Sequence, residues 1–448
     1  MSQAPTVMRS LGYGEQLWYR LSQGASNSVV MVFDLQGEVD PERFRSALER
    51  VQARHPLLQA FVDDSVSPPR YMKASTPELP LTIADRKIKD QWKELARAWL
   101  SRSVGINGEL LWSVTLLLGE GSSEAVFHLN HTIMDGHSLQ VIASDLMRAY
   151  DEPDKPLAPI PEVGSCESLL PQKGVLGGLW GAFATVRNMF KRPAGRLLDI
   201  GGTPGTDGAV PTGTGYRIVE LDKDVASGFM KQVKASGQGP HATVAAMMML
   251  EARAMNCPEA DSIVSKFSAA VNIRPKLAMD VNEQVGYFVT GFQSIFSLKK
   301  EDDLESLAAR VNEDIHTRYN LDFIAGSILF KRLILAVKRD AQSLVTAARK
   351  SARFPLHLTN LGRLNIQAEG GGLYLRRFMA IPSIEVSGRA MILLQLQSFE
   401  GRLQLLFTWV EPQTDPVFAE RFVEGVAARV REYAGVTEST PSPEAASV

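Results

Sequence analysis

Apolar positions along the chain follow two recurrent periods, and together they predict a mixture of strands and helices. Val29-Val30-Met31-Val32-Phe33-Asp34-Leu35 is a near-continuous apolar run of strand length, and Ser262 to Val271 and Leu403 to Trp409 read the same way. Apolar residues three and four apart predict helices over Pro41 to Val51, His241 to Met255 and Val417 to Tyr433, the last opening just after Asp415-Pro416. Both periods meet in one short stretch, where Ala125 to His131 reads as a strand and Ser138 to Met147 as a helix with one apolar face. His131 therefore falls in the turn between them. The elements lack the regular spacing of a doubly wound parallel sheet, so the predicted class is α/β or α+β, as a sandwich-like pair of domains.

A chain of 448 residues is long for one core and favours two domains. Between Tyr150 and Tyr216 the pattern breaks at Pro153, Pro156, Pro159 and Pro161 and again at Gly201-Gly202-Thr203-Pro204-Gly205. The expected division is an N-terminal lobe over 1–165, a connection over 166–214 and a C-terminal lobe over 215–437. Residues 438–448, small and proline-containing, are expected to be a disordered tail. Hydrophobic residues make up 45% and charged residues 22%, which excludes a mainly disordered or fibrous chain. A formal charge of -2 argues against a general nucleic-acid binder.

Cys166 and Cys257 lie far apart and outside any metal-spaced cluster, which points to a reducing compartment rather than a disulfide framework. Met1 to Val7 lacks the basic start and apolar run of a secretory signal, so cytoplasmic residence is expected. No window approaches the roughly 18 apolar residues of a membrane-spanning helix. Within the connection, residues 173–192 are apolar and basic with no acidic residue. Such a segment suits peripheral contact with an anionic membrane surface, although its four glycines weaken a helix and packing on a domain is the commoner fate.

Chemistry concentrates at His131-x-x-x-Asp135-Gly136. Histidine takes and returns a proton near neutral pH, and a neighbouring carboxylate can fix its loop or its ring. His131, Asp135 and His137 together fall short of a metal site, because no further ligand follows at a suitable spacing. His128 points to the opposite strand face and reads as core, His137 as a helix-start residue, and Trp18, Phe288 and Trp409 as packing residues.

His131-Thr132-Ile133-Met134-Asp135-Gly136 resembles the His-x-x-x-Asp-Gly signature of a thioester-dependent acyltransferase superfamily. That superfamily includes chloramphenicol acetyltransferase, nonribosomal peptide condensation domains and polyketide-associated acyltransferases. Ser10-Leu11-Gly12-Tyr13-Gly14-Glu15-Gln16-Leu17-Trp18 resembles the opening motif of condensation domains, and Ala47-Leu48 followed by Arg54-His55-Pro56-Leu57-Leu58 their next one. Asn272-Ile273-Arg274-Pro275, Val285-Gly286-Tyr287-Phe288-Val289 and Thr359-Asn360-Leu361-Gly362 resemble the later segments, in the same order. One departure is Asn130, where many members have a second histidine; the histidine that aligns with the family's base is His131. The plant branch also has a single histidine here, but its Asp-Phe-Gly-Trp-Gly segment is absent from this chain.

The resemblance implies two chloramphenicol acetyltransferase-like lobes forming a V, with a central tunnel and the His131 loop at its middle. It implies an acyltransferase moving an acyl group from a thioester donor to a hydroxyl acceptor, with His131 as general base and ester formation in secondary or lipid metabolism. The thioester would be a co-substrate, borne on coenzyme A or on the phosphopantetheine of an acyl carrier protein, with no permanently bound cofactor and no metal. Its acceptor would be a small molecule or a lipid. Asp135 is expected to hold the loop through an arginine, with Arg274 as candidate partner, and Gly136 to keep the tunnel open beside the base and permit a tight turn. Thr359 and Asn360 are candidate oxyanion or tunnel groups that can equally shape a turn. Two alternatives stand beside this reading: an amide-forming condensation enzyme, and a non-catalytic module that binds a carrier protein or acylated ligand.

Overall fold

The computed structural model describes residues 4–75, 77–171, 183, 187, 195–351 and 354–436. Apart from Phe183 and Arg187, the connector expected to contact a membrane at 173–192 lies outside the described residues, as does the tail expected to be disordered at 438–448.

The first half contains β1 (Thr6–Ser10), α1 (Tyr13–Ser22), β2 (Ser28–Gln36), α2 (Pro41–Arg54), β3 (Ala60–Asp63), β4 (Arg70–Lys73), β5 (Leu81–Asp85), α3 (Gln91–Leu100), β6 (Trp112–Leu118), β7 (Ser122–Asn130) and α4 (Gly136–Asp151). After the connection come β8 (Gly213–Leu221), α5 (Lys223–Ser236), α6 (Pro240–Asn256), β9 (Ser262–Asn272), β10 (Val289–Lys299), α7 (Leu304–Arg318), α8 (Leu321–Val337) and α9 (Ala341–Ser351). The chain closes with β11 (Leu356–Arg363), β12 (Glu369–Gly370), β13 (Leu373–Pro382), β14 (Ile392–Phe399), β15 (Arg402–Glu411) and α10 (Pro416–Tyr433).

Two six-stranded sheets, ordered β12-β13-β2-β7-β6-β5 and β10-β9-β11-β14-β15-β8, form the two lobes, and β1, β4 and β3 make a small third sheet. The apolar run of β2 is explained by its place: it pairs with β13 and β7 and is covered on both faces. Val29, Met31, Phe33 and Leu35 face a core shared with α2 and α4, while Val30 and Val32 face Trp92, Ala96 and Trp99 of α3. Helix α2 starts where Asp40 accepts hydrogen bonds from Glu42 N (2.9 Å) and Arg43 N (3.1 Å), with Pro41 in the first turn. The same device opens α10, where Asp415 accepts from Val417 N ahead of a helix led by Pro416. In the second lobe, α5 and α10 each bury one face, and α6 is buried all round from Ala242 to Met249, in a core with Phe267, Leu358, Leu394, Leu405 and Phe407 of the sheet.

The lobes interlock. β12 and β13, late in the chain, complete the first sheet, so the boundary placed at 214–215 separates the sequence but not the sheets. Leu406, with Tyr216 and Ile218 packed beside it, shares a core with α3 and β2. Helices α8 and α9 reach across to α1, where Leu335, Leu344 and Val345 pack with Leu21, Leu17 and Trp18. Of the connection, Leu198 and Ile200 are buried in the second lobe's core. Among the described residues, no helix is long and apolar enough to cross a membrane.

Candidate active site

β7 ends at Asn130 and α4 begins at Gly136, so His131 to Asp135 form a five-residue turn leaving the middle of the first sheet. Asn130 is part of what fixes that turn. Its Oδ1 accepts from Thr132 N (3.0 Å) and Thr132 Oγ1 (2.7 Å), and its Nδ2 donates to Val104 O (2.8 Å). Tyr71 OH donates to Thr132 O (3.2 Å), and Thr132, Ile133 and Met134 are fully buried. The backbone of the loop is thus held from both sides of His131.

His131 Nδ1 lies 2.7 Å from Met134 O. A carbonyl oxygen only accepts, so Nδ1 carries the proton, and in the neutral ring Nε2 keeps its lone pair. Burial lowers the pKa of His131 from the ordinary histidine value, against the opposing effect of the Met134 carbonyl. The ring is therefore neutral near pH 7 and able to accept a proton at Nε2. The indole of Trp18 stacks on it at 5.1 Å with 6° between planes, and Tyr287 meets it edge-on at 5.8 Å. Trp18 Nε1 is buried with no hydrogen-bond partner among the described residues.

Asp135 caps α4, its Oδ1 accepting from Ser138 N (2.9 Å) and Ser138 Oγ (3.0 Å). Its Oδ2 turns to the other lobe, accepting from Arg274 Nη1 (2.5 Å) and Phe288 N (2.9 Å). Burial pushes the carboxyl upward, but the Arg274 guanidinium and these donors outweigh it and hold the pKa below the usual carboxylate value. Arg274 is itself spent on structure: Nε donates to Val281 O (3.3 Å), Nη2 to Gln284 O (3.0 Å), and the guanidinium lies 4.8 Å over the Phe288 ring. The structure thus brings Asp135 and Arg274 together at 4% and 3% exposure, with the carboxylate fully engaged away from the imidazole. Arg54 makes a parallel tie, bridging Asp145 on α4 (2.8 Å) and Glu283 (2.5 Å).

Gly136 differs from its expectation. It is not among the glycines of positive φ, and a Cβ there would run into the Leu361 side chain of β11. The φ of Gly136 makes no demand for glycine, and the Leu361 side chain packs directly onto the position. Leu361 O also accepts from Gln140 Nε2 (3.2 Å). Beside it, Asn360 Oδ1 accepts from Gly362 N (2.8 Å), a turn made at a Gly362 of φ 71°. Thr359 pairs with Gln395 and Ala270 in the sheet. His128 is core as read, stacked on Trp99 at 5.1 Å and pushed by burial to a pKa of about 4, and His137 donates from Nε2 to Asn282 O (2.8 Å).

Sequence reading missed Trp18, Tyr287 and Ser138. Trp18 was taken for packing, and its place in the opening motif was the available signal. Ser138 stands three residues after Asp135, the spacing of a reciprocal helix cap. Behind Tyr287 lies a narrow cavity lined by Gly14, Cys166, Ile324, Ile328 and Lys331 among others. Burial pushes the Cys166 thiol up to about 12, so it stays protonated and supplies no nucleophile.

Comparison with known proteins bears on the fold and on part of the sequence. Residues 20–161 match the family model named Condensation domain. The phthiocerol/phthiodiolone dimycocerosyl transferase of Mycobacterium tuberculosis is 25% identical over 254 residues, 55% of this chain and 58% of that one. The chain thus spans at most about three fifths of the length of the curated relatives it matches first. Among solved structures, polyketide synthase associated protein 5 from M. tuberculosis superposes with a TM-score of 0.66 at 18% identity, covering 97% of this chain and 100% of that one. Trichothecene 15-O-acetyltransferase from Fusarium sporotrichioides gives 0.73 at 14% identity, covering 97% of each. Residues 20–161 thus resemble a condensation domain, and the whole chain shares the fold of these solved structures.

Proposed function

We propose that the protein is an acyltransferase that moves an acyl group from a thioester to a hydroxyl, with His131 as general base. The observation that carries this reading is the imidazole itself: its Nδ1–H is fixed on Met134 O, which leaves the lone pair at Nε2, and burial lowers its pKa. In the proposed reaction, Nε2 takes the acceptor proton as the acceptor oxygen attacks the thioester carbonyl. The tetrahedral intermediate then collapses, the carbon–sulfur bond breaks, and the imidazolium returns the proton to the departing thiolate. No covalent acyl-enzyme is required.

The stacked Trp18 indole supports the same reading, because an aromatic face stabilises the imidazolium formed midway. Asp135 and Arg274 act as the anchor of the loop and do not share the proton. Thr359 Oγ1 and Asn360 Nδ2 are the proposed donors to the carbonyl oxygen, since Asn360 Oδ1 is already taken by Gly362 N. The thioester arrives as a co-substrate on coenzyme A or on a carrier protein. Asn130, the departure from the paired histidines, braces the loop instead of disrupting it, which favours catalysis over a purely binding role.

The test is thiol release followed over many turnovers, with acyl-coenzyme A and acyl-loaded carrier protein as donors and long-chain alcohols and amines as acceptors. Release that depends on the alcohol and yields the ester is expected. Binding of donor without product for any acceptor would assign the chain to the non-catalytic class, and product from amines alone to the amide-forming one.

A further inference from the structure

Helix α8 lacks the polar outer face of an ordinary surface helix. Its sequence, Leu321-Asp322-Phe323-Ile324-Ala325-Gly326-Ser327-Ile328-Leu329-Phe330-Lys331-Arg332-Leu333-Ile334-Leu335-Ala336-Val337, is apolar nearly all round. One side packs on β10 and α1, yet the opposite side also carries aliphatic residues into solvent. Leu333 is 52% and Val337 76% exposed, and Ala336 is exposed between them. A helix that leaves an aliphatic crest in water at its outer end is unusual unless something covers it.

The surrounding charge says what fits. Residues 331–350 contain Lys331, Arg332, Lys338, Arg339, Arg349 and Lys350 against Asp340 alone, in a chain whose 48 basic and 50 acidic residues otherwise balance. Among the described residues, Arg332, Arg339 and Lys350 are exposed and form no ion pair. Arg332 lies over the Tyr13 ring at 5.7 Å, whereas Lys331 turns inward over Tyr287 at 5.4 Å and is not one of the surface cations. An exposed aliphatic crest flanked by uncompensated cations matches an anionic lipid surface, into which the crest inserts while the cations meet the headgroups. The helix is short of what a membrane crossing needs, so it lies along such a surface rather than through it.

We propose that the outer face of α8 docks the protein on an anionic lipid surface. The same helix supplies Ile324, Ile328 and Lys331 to the cavity behind Tyr287, whose ring meets His131. One element therefore runs from the lipid surface to the neighbourhood of the base. On the acyl-transfer reading, a long-chain substrate is taken from that surface; the docking itself does not depend on turnover.

The experiment is co-sedimentation of the full chain with vesicles of phosphatidylcholine, with or without about one third phosphatidylglycerol. Binding to the anionic vesicles is expected, weakening as salt rises. Leu333→Glu with Val337→Glu should lower the bound fraction about tenfold or more while circular dichroism is unchanged, because apolar contact and charge attraction are both lost. Met230→Glu, at a residue 47% exposed on α5, should leave binding as it was. No preference for anionic vesicles would overturn the proposal, as would equal loss in the Met230 variant. Binding of an acidic carrier protein, abolished by the α8 changes while vesicles are ignored, would overturn it in favour of a protein partner. Vesicle binding by a protein with no transfer activity would leave the docking intact and sink the acyl-transfer reading alone.

Discussion

On the proposed acyl-transfer reading, His131 would act as a base through what its neighbours do to one nitrogen. Met134 O fixes the tautomer, burial keeps the ring neutral, and Trp18 lies parallel to receive the charge when it forms. This sets the sign of the pH dependence. A folded-state pKa lowered from 6.5 means the active, unprotonated ring is present above that lowered value and is lost as pH falls through it. A profile of kcat/KM against pH should show an acid limb with its midpoint below 6.5 and a plateau through neutrality. A limb centred above 6.5 would contradict the burial of the ring. At this scale the meeting of Asp135 with Arg274 was legible only through the resemblance of their segments to a known family's motifs. The sequence was silent on Trp18 as a ring partner and on Leu361 against Gly136, since both contacts join residues more than a hundred positions apart.

At the level of elements, the strand-to-helix joint of β7 and α4 is clamped from the opposite lobe. Asp135 serves both as the cap of α4 and as the acceptor for Arg274, which follows β9, and for Phe288 N, which precedes β10. Removing one member of a buried, hydrogen-bonded pair leaves the other charge without compensation. Arg274→Ala is therefore expected to cost about 3–5 kcal/mol, read as a lower urea midpoint. Arg274→Lys should recover only part of this, because an ammonium cannot reach Asp135, Val281 O and Gln284 O with one planar fork. An unchanged midpoint in Arg274→Ala would show that the clamp carries no stability. Elements with clear periods, such as β2, α2, β9, β15 and α10, were legible in the sequence because each buries one defined face or lies in a covered sheet. Helix α8 was not, since it is apolar nearly all round and gives little period to read.

The whole molecule is two lobes that cannot be cut apart at the connection. β13 belongs to the second half of the chain and to the first sheet, and α8 and α9 cross from the second lobe to α1. The sequence suggested two halves joined by a proline- and glycine-rich stretch; it did not suggest the exchange, because strand order within a sheet is a matter of distant pairing and leaves no local trace. The consequence is that the His131 loop is surrounded by both lobes: Trp18 and Asn130 from one, Tyr287, Arg274 and Leu361 from the other. These contacts fix His131 Nδ1 and the ring plane, and on the proposed reading Nε2 is the atom that would meet a substrate. The most direct measurement is therefore the transfer rate of His131→Ala beside the wild type, at matched circular dichroism and thermal midpoint. Loss of a general base should lower kcat/KM by about a hundredfold or more, whereas a rate within about threefold of the wild type would contradict the assignment.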